Sequence, residues 1–320
     1  MNKIAYVIPY FGKLPTNFPL WLISCEANPT IDWIIYTDDK SFYNYPQNVK
    51  VKYCTFDDIK KKIQENFDFK ILIDRPWKLC DYKVAYGEIF KEDLKEYDFW
   101  GYCDIDVLWG NIRKFITDDI LKKYDKIGFQ GHSTLYKNNS EVNSRYKMEF
   151  SDLPSYKEIF STSRGYCFDE DIITKIYDKM DIPYYKKVNF AHLSLKKYSF
   201  FLWHLSKEND YKNKRQVFIW NNGNLYRKYL YDKNIYEEEF MYIHFFTRPM
   251  TYKVNNANKN KTYVIYPDVV KELKQTLTYQ FINKHGKCSK IEFYAKMLWH
   301  NRKKITIKKI INRIKIMISS

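Results

Sequence analysis

The sequence predicts an α/β fold in which a mixed β-sheet is flanked by helices. Short apolar runs alternate with segments of helical periodicity in the first half of the chain, which is typical of a sheet covered by helices. The 320 residues are 45% apolar and 19% aromatic, so the chain also has ample material for a packed core. Ligands of open α/β sheets bind outside the carboxyl ends of the strands. The residues that follow each predicted strand are therefore the first candidates for a functional site.

Strands and helices follow one another through this first half. Apolar runs predict strands at residues 4–9, 32–37, 49–53, 99–103 and 126–131. We expect the strands at 4–9 and 32–37 to be parallel and to end in functional loops. Helical periodicity predicts helices at residues 81–95 and about 111–124, and Thr55 with the acids after it predicts one more helix start.

The pattern is less regular after residue 150. Asn222-Gly223 lies between two apolar runs and predicts a β-hairpin, and residues 240–246 predict a further strand. A polar stretch at 255–261 is typical of a linker. We therefore divide the chain into a main domain at residues 1–250 and a linker with a basic, amphipathic helical tail at residues 251–320.

The most informative stretch is the apolar run at 99–103, which ends in Asp104 and Asp106. Two carboxylates this close repel each other, and an unpaired ionised carboxylate is costly to bury. A divalent cation removes both costs, and carboxylate oxygens suit Mg²⁺ and Mn²⁺. The alternative is an aspartate that caps the next turn, because Asp-x-Asp alone is a common tripeptide.

The net charge of +16 is concentrated near the C-terminus. From Lys284 to Lys315 there are eleven Lys and Arg against one acidic residue. Apolar residues recur among them at helical spacing, namely Ile307, Ile310, Ile311, Ile314 and Met317. This pattern is typical of a basic amphipathic helix on an anionic membrane surface, the alternative being a helix packed on its own domain. No nucleic-acid partner is expected, because most of the excess charge lies in this tail.

The sequence carries no recognisable export signal. Its start has one Lys and too short an apolar run for a signal peptide, and no stretch approaches the roughly 18 apolar residues of a spanning helix. The six cysteines lack CxxC spacing, which fits reduced thiols. We expect a cytoplasmic protein that is peripheral on the inner face of the cell membrane.

Several common enzyme motifs are absent from the sequence, including the phosphate-binding P-loop, the dinucleotide fingerprint, the serine-hydrolase elbow and the zincin helix. Five phrases together instead resemble a GT-A-fold glycosyltransferase, and in particular a bacterial family from capsule and lipopolysaccharide biosynthesis gene clusters. The phrases are IPYFG at 8–12, KLCDYK at 78–83, YDFWG at 97–101, CDID at 103–106 and YIH at 242–244. The resemblance covers about residues 1–250 and implies that the catalytic domain has a GT-A-like (Rossmann-like) sheet.

The resemblance also implies a reaction. A hexose would move from a UDP-sugar to a polysaccharide or lipid-linked oligosaccharide acceptor, and a divalent metal, Mn²⁺ or Mg²⁺, would stabilise the charge on the leaving diphosphate. Asp106 is the first choice for a metal ligand, and Asp104 would bind the ribose or a metal-bound water, or exchange roles with Asp106. His244 would supply a third metal contact, the alternative being a histidine that simply packs in the core.

Seven further residues are expected to contact the donor. They are Pro9, Tyr10, Thr37, Asp38, Lys78, Asp81 and Lys83. The resemblance places the first four in loops around the base and the ribose, although ordinary turn chemistry also explains an Asp or a Pro there. The last three lie at a predicted helix start, where the helix dipole does not favour cations, so contact with a diphosphate or a sugar is the functional interpretation of the two lysines.

A second acidic cluster supplies candidates for the catalytic base. An inverting transfer requires a carboxylate that takes the proton from the attacking hydroxyl, and Asp169 and Glu170 are the candidates. The same acids could also begin a helix near residue 172. The alternatives to an inverting enzyme are a retaining glycosyltransferase without a dedicated base, or a non-catalytic protein that binds nucleic acid or glycan.

Overall fold

The structure is a computed structural model that describes residues 1–193, 200, 202, 215–246, 248–254, 256–287 and 290–301. Fifteen strands fall within this part of the chain. They are β1 Ile4–Pro9, β2 Ile31–Thr37, β3 Val49–Tyr53, β4 Phe99–Cys103, β5 Val107–Trp109, β6 Lys126–Gln130, β7 Ser133–Lys137, β8 Phe190–His192, β9 Gln216–Asn221, β10 Asn224–Tyr231, β11 Asn234–Phe240, β12 Tyr242–His244, β13 Thr251–Lys253, β14 Thr262–Ile265 and β15 Val269–Glu272.

Twelve α-helices, most of them short, lie in the same described ranges. They are α1 Phe18–Glu26, α2 Phe56–Gln64, α3 Leu79–Tyr82, α4 Tyr86–Ile89, α5 Lys91–Leu94, α6 Ile112–Phe115, α7 Asp118–Lys123, α8 Ser140–Ser144, α9 Tyr156–Phe160, α10 Ile173–Lys179, α11 Tyr279–His285 and α12 Lys290–Asn301. Tighter 3₁₀ turns occur at Pro76–Lys78, Lys83–Ala85 and Arg145–Lys147, and a π-turn occurs at Phe168–Ile172.

The first sheet has six strands in the order β3-β2-β1-β4-β7-β6. Strands β1 to β4 are parallel, whereas β7 runs antiparallel to β4 and β6 antiparallel to β7. Successive side chains of β1 enter different cores. Ala5 and Val7 pack on one face of the sheet, and Ile4, Tyr6 and Ile8 pack on the other. Helices supply the partners on both faces, such as Ile59 of α2 on one and Trp21 of α1 on the other. The predicted α/β class, with a mixed sheet flanked by helices, is confirmed.

Two further sheets follow. The hairpin predicted around Asn222-Gly223 joins β9 to β10, and both of these residues have positive φ, as a tight hairpin turn requires. These strands belong to a sheet with the order β11-β10-β9-β14-β15-β13. A small sheet, β5-β12-β8, lies beside the first one, and its edge strand β5 follows β4 after only three residues.

Two predicted helices are shorter in the structure than the sequence suggests. The segment predicted as one helix over 81–95 is interrupted by the 3₁₀ turn at Lys83–Ala85, and both flanks of that turn are buried. The segment predicted over about 111–124 divides into α6 and α7 because it contains two N-caps. The side chain of Asn111 accepts a hydrogen bond from Lys114 N, and that of Thr117 accepts one from Ile120 N.

The polar stretch at 255–261, predicted as a linker, lies between strands of the same sheet in the structure. Around it, β13, β14 and β15 join the sheet of β9, and Val264 and Ile265 are fully buried. Alternating apolar residues at 263, 265 and 270 fill the core between the small sheet and this one, so the segment packs as part of the fold. The division of the chain at residue 250 stays a prediction.

The basic tail is described only in part. Helix α11 packs against β9 and β10 through the buried side chains of Phe281 and Ile282, and α12 follows it. The predicted amphipathic face of the tail, which begins at Ile307, lies outside the described residues. Among the residues that are described, none of the helices combines the length and the apolar character needed to cross a bilayer.

Candidate metal centre

Asp104 and Asp106 lie in the three-residue connection between β4 and β5. The backbone there is held from three directions: Asp104 N donates to His132 O (3.2 Å), Phe245 N donates to Asp106 O (2.9 Å), and the Asn17 side chain donates to the carbonyl between the two acids (3.0 Å). The two carboxylate side chains are 35% and 24% exposed, respectively. The connection is therefore fixed, while its carboxylates remain accessible from solvent.

His244 reaches this connection from the neighbouring strand. Strand β12 pairs antiparallel with β5 and places His244 opposite Val107. The Nε2 atom of His244 lies 3.2 Å from Asp106 Oδ1 and 3.8 Å from Asp104 Oδ2. Burial disfavours the protonated ring, but the adjacent Asp106 carboxylate outweighs it and raises the pKa of His244 above its usual value. The imidazole thus faces both carboxylates with one nitrogen.

These three residues fit a divalent cation. One ligand atom from each of Asp104, Asp106 and His244 lies within 4.8 Å of the others. Two ligands at right angles on an octahedral ion, each about 2.1 Å from it, are about 3 Å apart, close to the 3.2 Å between His244 Nε2 and Asp106 Oδ1. Carboxylate oxygens with one neutral imidazole suit Mn²⁺ or Mg²⁺. Asp104, Asp106 and His244 would therefore hold the ion.

Lys83 is buried beneath the carboxylate of Asp104. Its ammonium donates to Asp104 Oδ1 (2.8 Å) and Gly131 O (2.8 Å) and lies 3.1 Å from Asp169 Oδ2. Burial opposes its charge, but Asp104 in particular outweighs burial and raises the pKa of Lys83 well above its usual value. The three acceptors match the three N–H groups of an ammonium. Lys83 therefore fixes Asp104 in place, which differs from the predicted direct contact with a donor.

The two candidates for the catalytic base, Asp169 and Glu170, lie next to Lys83. Asp169 and Glu170 belong to the π-turn that follows Cys167, whose backbone is left-handed with φ 53°. Glu170 accepts a hydrogen bond from Gly131 N (2.8 Å), and a Cβ at residue 131 would come within 2.3 Å of Asp169 Oδ2. Burial raises the pKa of Asp169 to about 7, although the nearby Lys83 opposes this. The structure thus brings Asp169 beside the Asp104 carboxylate, with a glycine making room for it.

The loops after β1 and β2 lie at the same edge of the sheet. The Asp38 carboxylate accepts a hydrogen bond from Gly12 N (2.7 Å), and Tyr10 N donates to Tyr36 O (2.8 Å). Burial, and then the charge of Asp106, raise the pKa of Tyr10 above its usual value. Pro9 ends β1 beside it and is partly buried.

Thr37 differs from the other predicted donor contacts in these loops. It is fully buried, and its hydroxyl accepts a hydrogen bond from Asp39 N (3.1 Å). Asp39 in turn accepts one from Leu14 N (2.8 Å), so that the loop after β2 supports the loop after β1. The geometry gives Thr37 a structural role, because its buried hydroxyl is engaged with the backbone N–H of Asp39.

Lys78 and Asp81 also differ from their predicted role. The Lys78 ammonium is fully buried and donates to Asp81 Oδ2 (2.8 Å), Ile159 O (2.8 Å) and Arg164 O (2.6 Å). Asp81 also accepts hydrogen bonds from the backbone N–H groups of Tyr166 (3.2 Å) and Phe168 (3.1 Å). Both residues hold the segment before the π-turn instead of facing a donor. The residues around this helix start do not predict that later residues cover it, because those contacts come from residues 159–168.

Two histidines near this centre were not predicted as metal ligands from the sequence. His192 ends β8 and is the register partner of His244 on the parallel neighbour β12, and its Nδ1 lies 3.1 Å from His244 Nδ1. His132, in the turn between β6 and β7, lies 3.2 Å from the same atom of His192. A usable signal was present, because both Phe-Ala-His at 190–192 and Tyr-Ile-His at 242–244 are short apolar strands that end in histidine.

Comparison with protein families assigns the chain. The model of a family of unknown function, DUF6625, matches residues 6–274, and the chain belongs to that family. The match includes every site residue described above and ends after β15. A search of curated proteins finds no match.

Two solved structures can be superposed on part of the chain. Mouse xyloside xylosyltransferase 1, in its apo form, aligns over 60% of this chain and 88% of its own, with 12% identity and a TM-score of 0.37. The galactosyltransferase LgtC, in complex with donor and acceptor sugar analogues, aligns over 59% of this chain and 75% of its own, with 10% identity and a TM-score of 0.34. Because both TM-scores are low, the function of this chain has to be argued from its own site.

Proposed function

We propose that the chain is a metal-dependent glycosyltransferase that moves a hexose from a UDP-sugar to a polysaccharide or lipid-linked oligosaccharide acceptor. The observation that carries the proposal is the convergence of Asp104, Asp106 and His244 at the carboxyl edge of the sheet, beside the buried pair Lys83 and Asp169. Asp104, Asp106 and His244 would hold a divalent cation, which would supply Lewis-acid chemistry at the departing nucleoside diphosphate.

The two carboxylates of the centre have different partners. Asp106 faces His244, whereas Asp104 directs one oxygen to Lys83 and the other toward the imidazole. Asp106 and His244 are therefore the principal ligands, and Asp104 is held by the ammonium in the orientation that completes the set. Lys83 is a positioning residue for the metal site, since its own hydrogens are committed to the protein.

The donor would lie across the loops after β1 and β2. Tyr10 is near Asp106 and offers an aromatic surface for a uracil base, and the exposed Asp38 offers a carboxylate to the ribose hydroxyls. This arrangement puts the diphosphate between the nucleoside and the metal ligands. The sugar then lies toward the Lys83 and Asp169 side of the cleft.

Asp169 is the base that we assign to the transfer. As the acceptor hydroxyl oxygen bonds to the anomeric carbon and the bond from that carbon to the phosphate oxygen breaks, the Asp169 carboxylate takes the hydroxyl proton. A pKa raised to about 7 by burial gives this carboxylate more basicity than an exposed aspartate. Direct displacement inverts the anomeric centre, so a product that retains the donor configuration would contradict this part of the proposal.

The bacterial setting is supported by sequence alone. The phrases that resemble capsule and lipopolysaccharide glycosyltransferases suggest a surface glycan as the product. The basic C-terminal tail suggests that the enzyme works at the inner face of the cell membrane, where a lipid-linked acceptor would be found.

Thermal stabilisation by nucleotide-sugars tests the proposal. The metal-free protein is screened against UDP-, GDP- and CMP-sugars with and without Mn²⁺, and release of the nucleoside diphosphate is followed in parallel. We expect a Mn²⁺-dependent shift in Tm with the UDP-sugars, and its loss in Asp106→Ala. The matched control is Asp32→Ala, because Asp32 is similarly exposed (26% against 24%) but pairs with Lys50 on β3. An undiminished UDP response in Asp106→Ala would remove the metal assignment.

A further inference from the structure

Three imidazoles converge on one point behind the carboxylate centre. The Nδ1 atom of His192 lies 3.1 Å from His244 Nδ1 and 3.2 Å from His132 Nε2. One ligand nitrogen from each of the three rings lies within 4.8 Å of the others. Two nitrogens bound tetrahedrally to one zinc ion, each about 2.0–2.1 Å from it, are about 3.3 Å apart. Two of the three separations, 3.1 Å and 3.2 Å, are therefore close to those of ligands that share an ion.

Simple hydrogen bonding accounts for this arrangement less well. An imidazole Nδ1 carries either one proton or one lone pair. The Nδ1 atom of His192 faces two ring nitrogens at hydrogen-bonding distance, so it cannot donate to both neighbours at once. A cation, in contrast, accepts a lone pair from each of the three nitrogens.

The fold holds these rings before any ion binds. His192 and His244 are register partners on the parallel strands β8 and β12, so their side chains lie on the same face of the small sheet. His132 enters from the turn between β6 and β7, and both it and His244 are buried. Ligands on neighbouring strands and a tight turn are more precisely placed than ligands on long loops.

The outer nitrogens of two rings have partners of the kind that metal-bound histidines use. The Tyr242 hydroxyl lies 2.9 Å from His132 Nδ1, and Asp106 Oδ1 lies 3.2 Å from His244 Nε2. When His132 Nδ1–H donates to the tyrosine, its Nε2 directs a lone pair toward His192. When His244 Nε2–H donates to Asp106, its Nδ1 does the same. Such partners fix the tautomer and the orientation of ligating imidazoles.

We propose that His132, His192 and His244 form a second metal site, which takes an imidazole-preferring divalent transition ion such as Zn²⁺. The ligand set is three neutral nitrogens, in contrast to the oxygen-rich set of Asp104 and Asp106, so the two sites differ in the ions they select. The inference needs only the three imidazoles and holds whether or not the chain transfers a sugar.

The two sites share His244, and this makes them compete. A neutral imidazole has one lone pair, so His244 serves the carboxylate centre through Nε2 or the trihistidine site through Nδ1. Zinc in the trihistidine site therefore removes the His244 ligand from Mn²⁺, which is then held only by the carboxylates of Asp104 and Asp106. Zn²⁺ is expected to displace Mn²⁺ without occupying the same position.

The experiment measures Zn²⁺ affinity in the metal-stripped full chain, by competition with a chromophoric chelator. His192→Ala should weaken Zn²⁺ binding by at least about tenfold and leave Mn²⁺ binding at Asp104 and Asp106 in place. Asp104→Asn should weaken Mn²⁺ binding and retain the zinc. His285→Ala is the matched control, because it removes a histidine from α11, which packs against β9 and β10. Zinc affinity lost in Asp104→Asn but kept in His192→Ala would overturn the proposal.

A measurement on the unmodified chain avoids any effect of the substitutions on folding. Co²⁺ in place of Zn²⁺ should give the intense visible absorption of a tetrahedral, nitrogen-rich site, and a stoichiometric amount of Zn²⁺ should abolish that absorption. The same addition of Zn²⁺ should release bound Mn²⁺, measured as an increase in the electron paramagnetic resonance signal of free Mn²⁺. A weak octahedral Co²⁺ spectrum alone would show that the ion binds only at the carboxylates, and the trihistidine site would then be rejected.

Discussion

His244 and Lys83 give the two aspartates of the centre unequal roles. Both aspartates have one carboxylate oxygen near His244 Nε2, but only Asp104 also contacts an ammonium, at 2.8 Å. That contact spreads the Asp104 charge between a buried lysine and any bound ion. Asp106 lies closer to His244 Nε2 than Asp104 does, at 3.2 Å against 3.8 Å, and so carries the larger share of the metal binding.

Asp169 should set the pH dependence of the transfer. Its pKa is raised to about 7, chiefly by burial, and only the ionised carboxylate can accept the acceptor proton. Below pH 7 the protonated form prevails, so kcat/KM should rise with pH and level off above about pH 7. Asp169→Asn should reduce kcat by about 100-fold or more and remove that rise, as measured in a pH–rate profile at saturating Mn²⁺.

Glu170→Gln supplies the control for this assignment. Glu170 is adjacent in sequence and accepts a hydrogen bond from Gly131 N, whereas it is Asp169 whose carboxylate lies 3.1 Å from the Lys83 ammonium. Its variant should keep the rising limb of the profile. The assignment of the base is wrong if Glu170→Gln flattens the profile and Asp169→Asn does not.

Some residues of the candidate site were predicted correctly from the sequence, and others were given the wrong role or missed. The acids at 104, 106 and 169 and the histidine at 244 were found because each follows or ends an apolar strand or precedes an apolar run, and the structure brings them together. Lys78 and Thr37 were assigned to the donor because burial by distant segments cannot be read from their neighbours. His192 was missed because a single histidine in an apolar run acquires a meaning only when the strand register is known.

At the scale of the element, the 3₁₀ turn and helix around Lys78 act as an anchor for the segment at 159–168. Lys78 binds two carbonyls of that segment and Asp81 accepts from two of its N–H groups. The π-turn with Asp169 begins where this segment ends. The buried pair therefore holds the candidate base from behind without touching the cleft.

Removal of the anchor should be costly. Lys78→Met keeps the length of the side chain but leaves the Asp81 carboxylate, 3% exposed, without its ammonium, and breaking a buried pair costs about 3–5 kcal/mol. We expect a loss of this size in the free energy of unfolding, measured by denaturant titration. The matched control is Lys60→Met, because Lys60 also pairs with an aspartate three residues away in the sequence, Asp57, but on the surface, where the loss is about 0.5 kcal/mol or less. Equal losses in the two variants would show that the anchor does not stabilise the fold.

The element boundaries show where local sequence signals are sufficient. The capping box at Thr55 and Asp58 begins α2 as predicted, since both of its hydrogen bonds are local. The interruption at Asn111 and Thr117 was missed, although each residue is a good N-cap, because two caps inside one apolar pattern compete with its periodicity. Strands β5 and β8 are only three residues long and depend on pairing with β12, which no local pattern reveals.

At the scale of the whole molecule, the first sheet was the most predictable part. Strands β1, β2 and β4 are apolar on both faces and were predicted from composition and spacing, whereas β7, which runs antiparallel beside β4, was not predicted. The sheet with the order β11-β10-β9-β14-β15-β13 was recognised only at its hairpin, because antiparallel strands of mixed polarity such as β11, with Glu237, Glu238 and Glu239, do not differ from loops in composition.

The tail hypothesis is best tested by removing residues 302–320. This stretch has seven Lys and Arg and no acidic residue. A cut at Lys284 would divide α11, whose Phe281 and Ile282 are buried, and so would damage the fold itself. We expect the shorter chain to bind vesicles with anionic lipid several-fold more weakly than the full chain, in a sedimentation assay, with UDP-sugar hydrolysis in solution unchanged.

The control for the tail keeps the apolar residues and removes charge. Changing Lys308, Lys309, Arg313 and Lys315 to Gln should lower vesicle binding at low salt and make the remaining binding less sensitive to salt, because each cation near an anionic surface contributes about 1 kcal/mol. Equal vesicle binding by the full and the shortened chains would show that the basic tail is not a membrane anchor.

The connection between β4 and β5 joins strands of two different sheets, and His244 belongs to the second of them. An ion held by Asp104, Asp106 and His244 would tie these sheets together at the point where the chain passes from one to the other. Metal concentration would then determine whether the two layers come apart together or one after the other during unfolding. The same three side chains would both form the reaction centre and, with the ion, stabilise the contact between the two sheets.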